Sequence, residues 1–480
     1  MARTGLFRRL GAILGIVAML GSCGGGGGGG GSTSVGGGAS GGTTSSTCSL
    51  LDRQNWTAAQ LREWYLFPET LPATLDPAPY TTVQAYIDAL TATARAQRRD
   101  RFFTYITSIA EENAFFNSGS SAGFGVRLSY DTAARRVFIA EAFEGAPALA
   151  AGIDRGAEIL AIGTSTGNLQ TVDSIMAAGG SQAVSDALGP STAGVTRVLR
   201  IRDAAGTRDL TVSKADYALT PVSSRYGARI ITDGARQVGY VNLRTFIDTA
   251  DPALRNAFAQ FRAAGITDII VDFRYNGGGL VSIAELMGDL LGRNRSTSEV
   301  FSYTTFRPEK TSSNSTRRFS PQSQSVAPTR VAFIGTSGTA SASELVINAF
   351  IPYLHSNAAL IGTNTYGKPV GQIAVDRSQC DDRLRIIAFA TQNAAQQGAY
   401  YDGLANFVEA SCAASDDLAF PLGDARESSV ARALDFLAGR PCARVTAGTS
   451  AGSLRTLESE RTLLTPERPA AAQREVPGLF

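Results

Sequence analysis

Apolar residues recur at three and four spacing in "TAAQLREWYLF" (57–67), "TTVQAYIDALTATARAQ" (81–97) and "RFFTYITSIAEENAFF" (101–116). That period puts them on one face of a helix, so residues 48–117 are expected to form a helical unit. After the break "NSGSSAG" the period changes. From 118 to 217 β-branched and aromatic residues alternate around Gly and Asp turns, "VDSIMAAGG" (172–180) supplies one amphipathic helix, and "TRVLRIRDAAGTRDLTVSKADY" (196–217) reads as a closing hairpin. The period changes again from 218 to 443. Strand-like "RQVGYVNLRTF", "TDIIVDFRY", "TRVAFIGT", "AALIGT" and "LRIIAFAT" are interspersed with helical "PALRNAFAQFRAAG" and "GTASASELVINAF", and "SSVARALDFLAGRPC" ends the unit as a helix. Repeated strand-helix-strand units predict a layered α/β domain. Residues 444–480 show no periodicity and are expected to be disordered.

The amino terminus reads as an address. Arg3, Arg8 and Arg9 precede an apolar run from Leu10 to Leu20, too short to span a bilayer as a mature helix, so residues 1–22 are expected to be a secretory signal. The run ends in "LGSC", which resembles a bacterial lipobox with Cys23 as the lipidated residue. Residues 23–47 are a Gly-rich flexible linker. The expected location is therefore the bacterial cell envelope, lipid-anchored on the periplasmic side of the inner or outer membrane.

Composition narrows the chemistry. A chain of 480 residues can bury more than one core, and a formal net charge of +2 leaves no cationic surplus for a nucleic-acid partner. Cys48, Cys380, Cys412 and Cys442 remain once Cys23 is set aside; in an exported protein they predict two disulfides. Cys380 and Cys412 bracket one strand-and-loop stretch and Cys48 and Cys442 sit at the two ends of the ordered region, so the expected pairing is 380–412 with 48–442. The single histidine, His355, lies between a helix and a strand and reads as a loop residue. Any serine mechanism is thereby pushed from histidine toward a lysine base. Lys214, Lys310 and Lys368 are the only lysines, and Lys368 in "NTYGKPVGQ" sits in a turn forced by Gly367 and Pro369 that could aim it inward.

Two resemblances join these signals. Residues 118–217 resemble a PDZ domain of the kind found in bacterial proteases. "GFGV" (Gly123, Phe124, Gly125, Val126) matches its carboxylate-binding loop, and "GAPALAAGIDRGAEILAIG" matches "SPAxxAGxxxGDxIxxI". "SASE" (341–344), "YGKPVGQ" and "VDFRYNGGGL" (271–280) resemble, in order, the core motifs of the carboxy-terminal processing, or tail-specific, proteases. The resemblance spans about 48–443.

It implies a multidomain α/β architecture of helical N-terminal cap, β-rich PDZ domain and layered α/β (crotonase/ClpP-like) catalytic domain. It also implies a serine endopeptidase of Ser-Lys type, with no cofactor or metal, acting on proteins or peptides with apolar C-termini. Ser341 would be the nucleophile, Lys368 the general base and Gln372 the group orienting the lysine. Ala342 N–H with that of Gly278 or Gly279 would form the oxyanion hole.

Gly277 departs from the family's proline, and the 27-residue separation of Ser341 and Lys368 is about two longer than usual, which keeps Ser343 as an alternative nucleophile. A catalytically inactive PDZ-type peptide-binding lipoprotein is the rival reading, and a structural cell-envelope protein the third. The apolar ending "VPGLF" makes the tail either an inert trailing segment, or an internal competitor for the "GFGV" loop or an early self-processing site.

Overall fold

The computed structural model describes residues 48–446 and 461–480; Cys23, the signal segment and the Gly-rich linker lie outside them. The architecture is mixed α/β. Its centre is a six-stranded sheet in the order Ala228–Asp233, Arg236–Asn242, Asp268–Asp272, Arg330–Gly335, Ala358–Gly362 and Ala410–Ala413. The first pair is antiparallel and every later pair parallel. Parallel strands covered on both faces must be apolar throughout, which is why "IIV", "VAFI" and "AALI" read as continuous runs. Helices Ala250–Ala263, Val281–Leu291 and Ala342–Leu354 share one core with the sheet, and helix Ser428–Leu437 contributes to another.

A second, antiparallel sheet joins Asp382–Gln392 to Tyr105–Ser108, Val300–Phe306 and Val370–Arg377. Helices Leu50–Trp64 and Val83–Leu90 pack on it. Their Leu61, Tyr86 and Ile87 share one core with Leu384, Ile386 and Ile387. The 48–117 segment is thus no free-standing helical unit. Within "RFFTYITSIAEENAFF" the residues Tyr105–Ser108 form a strand and the helix begins only at Ile109. Helices this short bury too little apolar surface to hold a core by themselves.

The β-rich unit is an antiparallel sheet of Val126–Asp131, Arg136–Ala142, Glu158–Gly163, Thr196–Asp203 and Gly206–Ser213, with helix Val172–Leu188 packed against it. Strand Ser120–Gly123 pairs with Ala215–Ala218, bringing the two ends of the unit together. Buried ion pairs tie the unit to the central sheet. Arg244 meets Glu141 at 2.6 Å and Glu144 at 2.7 Å, and Arg127 donates to the Tyr275 carbonyl at 2.7 Å.

The structure corrects two expectations. Residues 461–480 are not disordered: Thr462–Leu463 adds a strand beside Val126–Asp131, Ala471–Glu475 is helical, and Leu464, Val476, Leu479 and Phe480 are buried. The cores they enter, around Phe124 and Phe115, are built from residues hundreds of positions earlier, so no local period announces them.

The disulfides are Cys48–Cys380 and Cys412–Cys442, not 380–412 and 48–442. Cys380 lies in the turn of the hairpin 370–392, beside the first helix, where Arg53 pairs with Asp382 at 2.6 Å. Cys412 lies on the edge strand of the central sheet, where Ala413 N–H donates to Ala443 at 2.7 Å. Bracketing a stretch of sequence does not bring its ends together when they enter different sheets.

Non-reducing peptide mapping is expected to link Cys48 to Cys380 and Cys412 to Cys442. Cys48→Ser should lower stability by about 2–4 kcal/mol in urea denaturation, because it opens a very long loop. A map linking Cys380 to Cys412 would contradict the fold.

Candidate active site

Three hydroxyls cluster at the start of helix Ala342–Leu354. Thr339 donates to the Phe273 carbonyl at 2.8 Å, and Ser343, fully buried, donates to the Asn276 carbonyl at 3.1 Å. Ser341 is different. Its hydroxyl proton has no acceptor among the described residues, and its side chain is not fully buried. It is the residue just before the helix rather than in its first turn, with φ 55° and ψ −114°. An L-residue there is strained by about 1–3 kcal/mol, a cost that persists only where the surroundings enforce it. The position also lies at the positive end of the helix dipole, which favours a developing alkoxide.

The enforcing group is Glu344, which sequence reasoning quoted in "SASE" without assigning it a role. Its fully buried carboxylate accepts Ser341 N–H at 3.0 Å and Lys368 N–H at 2.7 Å on one oxygen. The other oxygen accepts Gly367 N–H at 2.7 Å and the Thr365 hydroxyl at 2.6 Å. One oxygen thus holds the main chains of Ser341 and Lys368 side by side. Burial pushes the carboxyl upward, and its four donors oppose that shift. A serine followed three residues later by glutamate is the capping-box pattern, and that signal could have identified it.

Lys368 donates from Nζ to Gln372 Oε1 at 3.1 Å, and the Gln372 amide donates to the Phe103 carbonyl. The Phe103 ring lies 5.0 Å from Nζ. Burial lowers the Lys368 amine below the usual lysine value, with Glu475, Asp100 and Glu344 opposing this and Arg385 adding to it. Arg101 braces the turn by donating to Gly367 O at 2.6 Å and Tyr401 O at 3.2 Å. Neither Phe103 nor Arg101 carries a sequence signal, since both come from the 48–117 segment and meet the lysine turn only in the fold. His355 stands exposed at the helix C-terminus, paired with Glu409 at 2.8 Å, away from these groups in the fold's order.

The glycine loop closes the site. A Cβ on Gly278 would stand 2.8 Å from Ser341 Cβ and 3.1 Å from Ala342 N, so only glycine permits this approach, and its φ of 119° excludes other residues as well. Of the two candidate donors, Gly278 N–H is already given to Asn276 Oδ1 at 2.9 Å. Gly279 N–H and Ala342 N–H have no partner among the described residues. In the β-rich unit, Phe124 is buried, and Gly125 and Val126 N–H point together at one carbonyl oxygen, that of Phe480, at 2.9 and 3.1 Å. Gly123 is equally close, since a Cβ there would lie 2.8 Å from the Phe480 carbonyl carbon. Among the described residues no group of three or more His, Cys, Asp or Glu is placed to hold a metal ion.

Residues 237–397, which include the serine, the lysine and the glycine loop, match the family model described as peptidase family S41. The chain is 29% identical over 281 residues to the chloroplastic C-terminal processing peptidase of Tetradesmus obliquus, covering 54% of each chain. It is 27% identical over 279 residues to carboxyl-terminal-processing peptidase 3 of Arabidopsis thaliana, covering 55% of this chain and 49% of that one. The chain spans about half the length of the curated relatives it matches. A solved structure assigned to the S41 proteases from Bacteroides fragilis superposes with a TM-score of 0.62 at 23% identity, over 80% of this chain and 97% of that one, a likeness of fold. The resemblance to peptidase family S41 is carried by residues 237–397.

Glu344→Gln keeps the volume but turns one acceptor into a donor facing donors. It is expected to destabilise the protein by about 1–3 kcal/mol in urea denaturation. A change below roughly 0.5 kcal/mol would show that the four-donor cradle does not hold the site.

Proposed function

We propose that the chain is a serine endopeptidase of Ser-Lys type, whose β-rich unit is a PDZ domain that receives the C-terminal segments of protein or peptide substrates. The observation that carries the reading is the contrast among the three hydroxyls. Thr339 and Ser343 spend their protons on main-chain carbonyls, whereas Ser341 keeps its own, on a main chain held beside that of Lys368 by one oxygen of Glu344.

In this reading the neutral Lys368 amine removes the Ser341 proton as Oγ attacks the scissile carbonyl. Ala342 N–H and Gly279 N–H stabilise the oxyanion, because they are the donors left without partners. As the intermediate collapses, the lysine ammonium returns the proton to the leaving amine, and water repeats the sequence on the acyl-enzyme. Gln372 accepts from Nζ and so keeps the amine directed while it changes charge.

The peptide-binding role is supported by the convergence of Gly125 and Val126 N–H on one oxygen beside a strand edge, the arrangement an added peptide strand requires. Location in the bacterial cell envelope, lipid-anchored through Cys23 on the periplasmic side, is proposed from the sequence of the leader alone; it suits a chain with two disulfides.

Ser341→Ala and Lys368→Ala are each expected to lower kcat/KM for a peptide substrate by about 10³-fold or more, and Ser341→Ala should abolish fluorophosphonate labelling. Lys368→Arg should fail as well, because a guanidinium cannot act as a base. Since only the neutral amine is active, kcat/KM should rise with pH through a value below that of free lysine. Labelling that survives Ser341→Ala and is lost in Ser343→Ala would overturn the assignment.

A further inference from the structure

Residues 461–480 run along the strand edge beside the "GFGV" loop and against the glycine loop. Thr462 and Leu463 pair antiparallel with Tyr130 and Ser129, and Leu464 N–H donates to Leu128 O at 2.9 Å. The segment leaves the strand, forms the short helix Ala471–Glu475 and returns to it: Leu128 N–H donates to Gly478 O at 2.8 Å and Phe480 N–H to Val126 O at 2.9 Å. Phe480 O then takes the Gly125 and Val126 amides of the "GFGV" loop, while the Phe480 side chain joins the core that contains Phe124, Ile175 and Met176. Between these anchors the segment crosses the catalytic loop. A Cβ on Gly277 would lie 2.8 Å from Glu475 O and 2.9 Å from Pro477 Cδ. A side chain at 277, such as the proline of the resembled motif, would meet this segment.

We propose that the segment Arg474–Phe480 is an intramolecular occupant of the peptide groove, bound along the path a substrate takes, so that the folded chain holds its own catalytic loop covered. The ligand class of the groove follows from the occupant: a segment that turns at Val476–Gly478 and then pairs with the strand edge through Leu479 and Phe480, with a large apolar residue at the Phe480 position and a glycine two residues before it. The glycine requirement is steric. Gly478 has φ 84°, and a Cβ there would stand 2.9 Å from Arg127 Cγ and from Leu128 O.

Main-chain bonds to a strand edge supply affinity, and the pocket for the terminal ring supplies selectivity. Because the occupant is tethered, its effective concentration is of millimolar order, and an external peptide must compete with that. Glu475 adds a second effect, since its carboxylate favours the protonated form of Lys368 together with Asp100 and Glu344, against Arg385.

This inference rests on the reading of the β-rich unit as a peptide-binding domain, and a binding measurement separates the two. A fluorescein-labelled peptide REVPGLF is titrated, by polarisation, into the full chain carrying Ser341→Ala, so that cleavage plays no part. The same titration is made with Phe480→Asp added, and with Gly478→Val added, each checked for native circular dichroism. Both variants displace the tail and leave Gly123 to Val126 intact.

The expected result is at least about tenfold tighter binding to either tail variant than to the parent. Equal affinity in the parent and the natively folded variants overturns the inference, as does failure of the peptide to bind any of them. If the tail variants gain binding while the chain with Ser341 intact cleaves nothing, the inference stands and the peptidase reading alone fails.

Discussion

One buried carboxylate fixes the geometry on which the rest of the site depends. Glu344 sits inside the fold with four donors and, among the described residues, no ion-pair partner, and two of those donors are the main-chain amides of the residues proposed to exchange a proton. A buried charge without donors would be prohibitively costly, so the start of the nucleophile helix and the lysine turn must stay where they can supply them. The same requirement explains the strained backbone at Ser341. The helix cannot begin in a more relaxed conformation without withdrawing its amide from Glu344, and Gly278 leaves no room for the chain to swing the other way.

The β-rich unit is coupled to this centre by charge as well as by apolar packing. Arg127, on its strand Val126–Asp131, donates to the Tyr275 carbonyl, two residues before the glycine loop. Tyr275 in turn accepts from Arg155 of the β-rich unit and donates to Asp416. Burial would raise the Asp416 carboxyl, but Arg155 and Arg274 hold it down to about 2. Clusters of this kind add little net stability compared with apolar packing, yet removing one member leaves a buried charge unpaired. Their effect is to fix orientation. The β-rich unit and the glycine loop therefore hold one mutual orientation.

The sequence made legible what depends on local pattern. Continuous apolar runs reveal the central strands, and the two motifs around Ser341 and Lys368 carry the main-chain amides that one oxygen of Glu344 accepts. The remainder depends on partners far away in the chain. Tyr105–Ser108 satisfies a helical period and still becomes a strand, because Asp382–Arg385 offers it an edge. Gly278 and Gly279 are indistinguishable in "NGGG" until Asn276 is seen to take one amide. The tail has too few apolar residues to show a period, and each finds its place in a core made by others. The cysteine pairing follows sheet membership, which spacing does not encode. Glu344 is the exception, for its capping-box spacing was open to view.

The Cys48–Cys380 bond closes a ring of covalent structure with a sequence separation of 332. Phe103, the glycine loop, Ser341, Lys368 and Gln372 all fall inside that ring. Tension applied to the chain ahead of Cys48 reaches the hairpin turn at Cys380 through a single sulfur–sulfur link, without first drawing out the helices and strands between them. The ring sets a limit on how far the molecule can be extended by its amino-terminal end, and every proposed catalytic group lies on the part of the chain shielded from the pull.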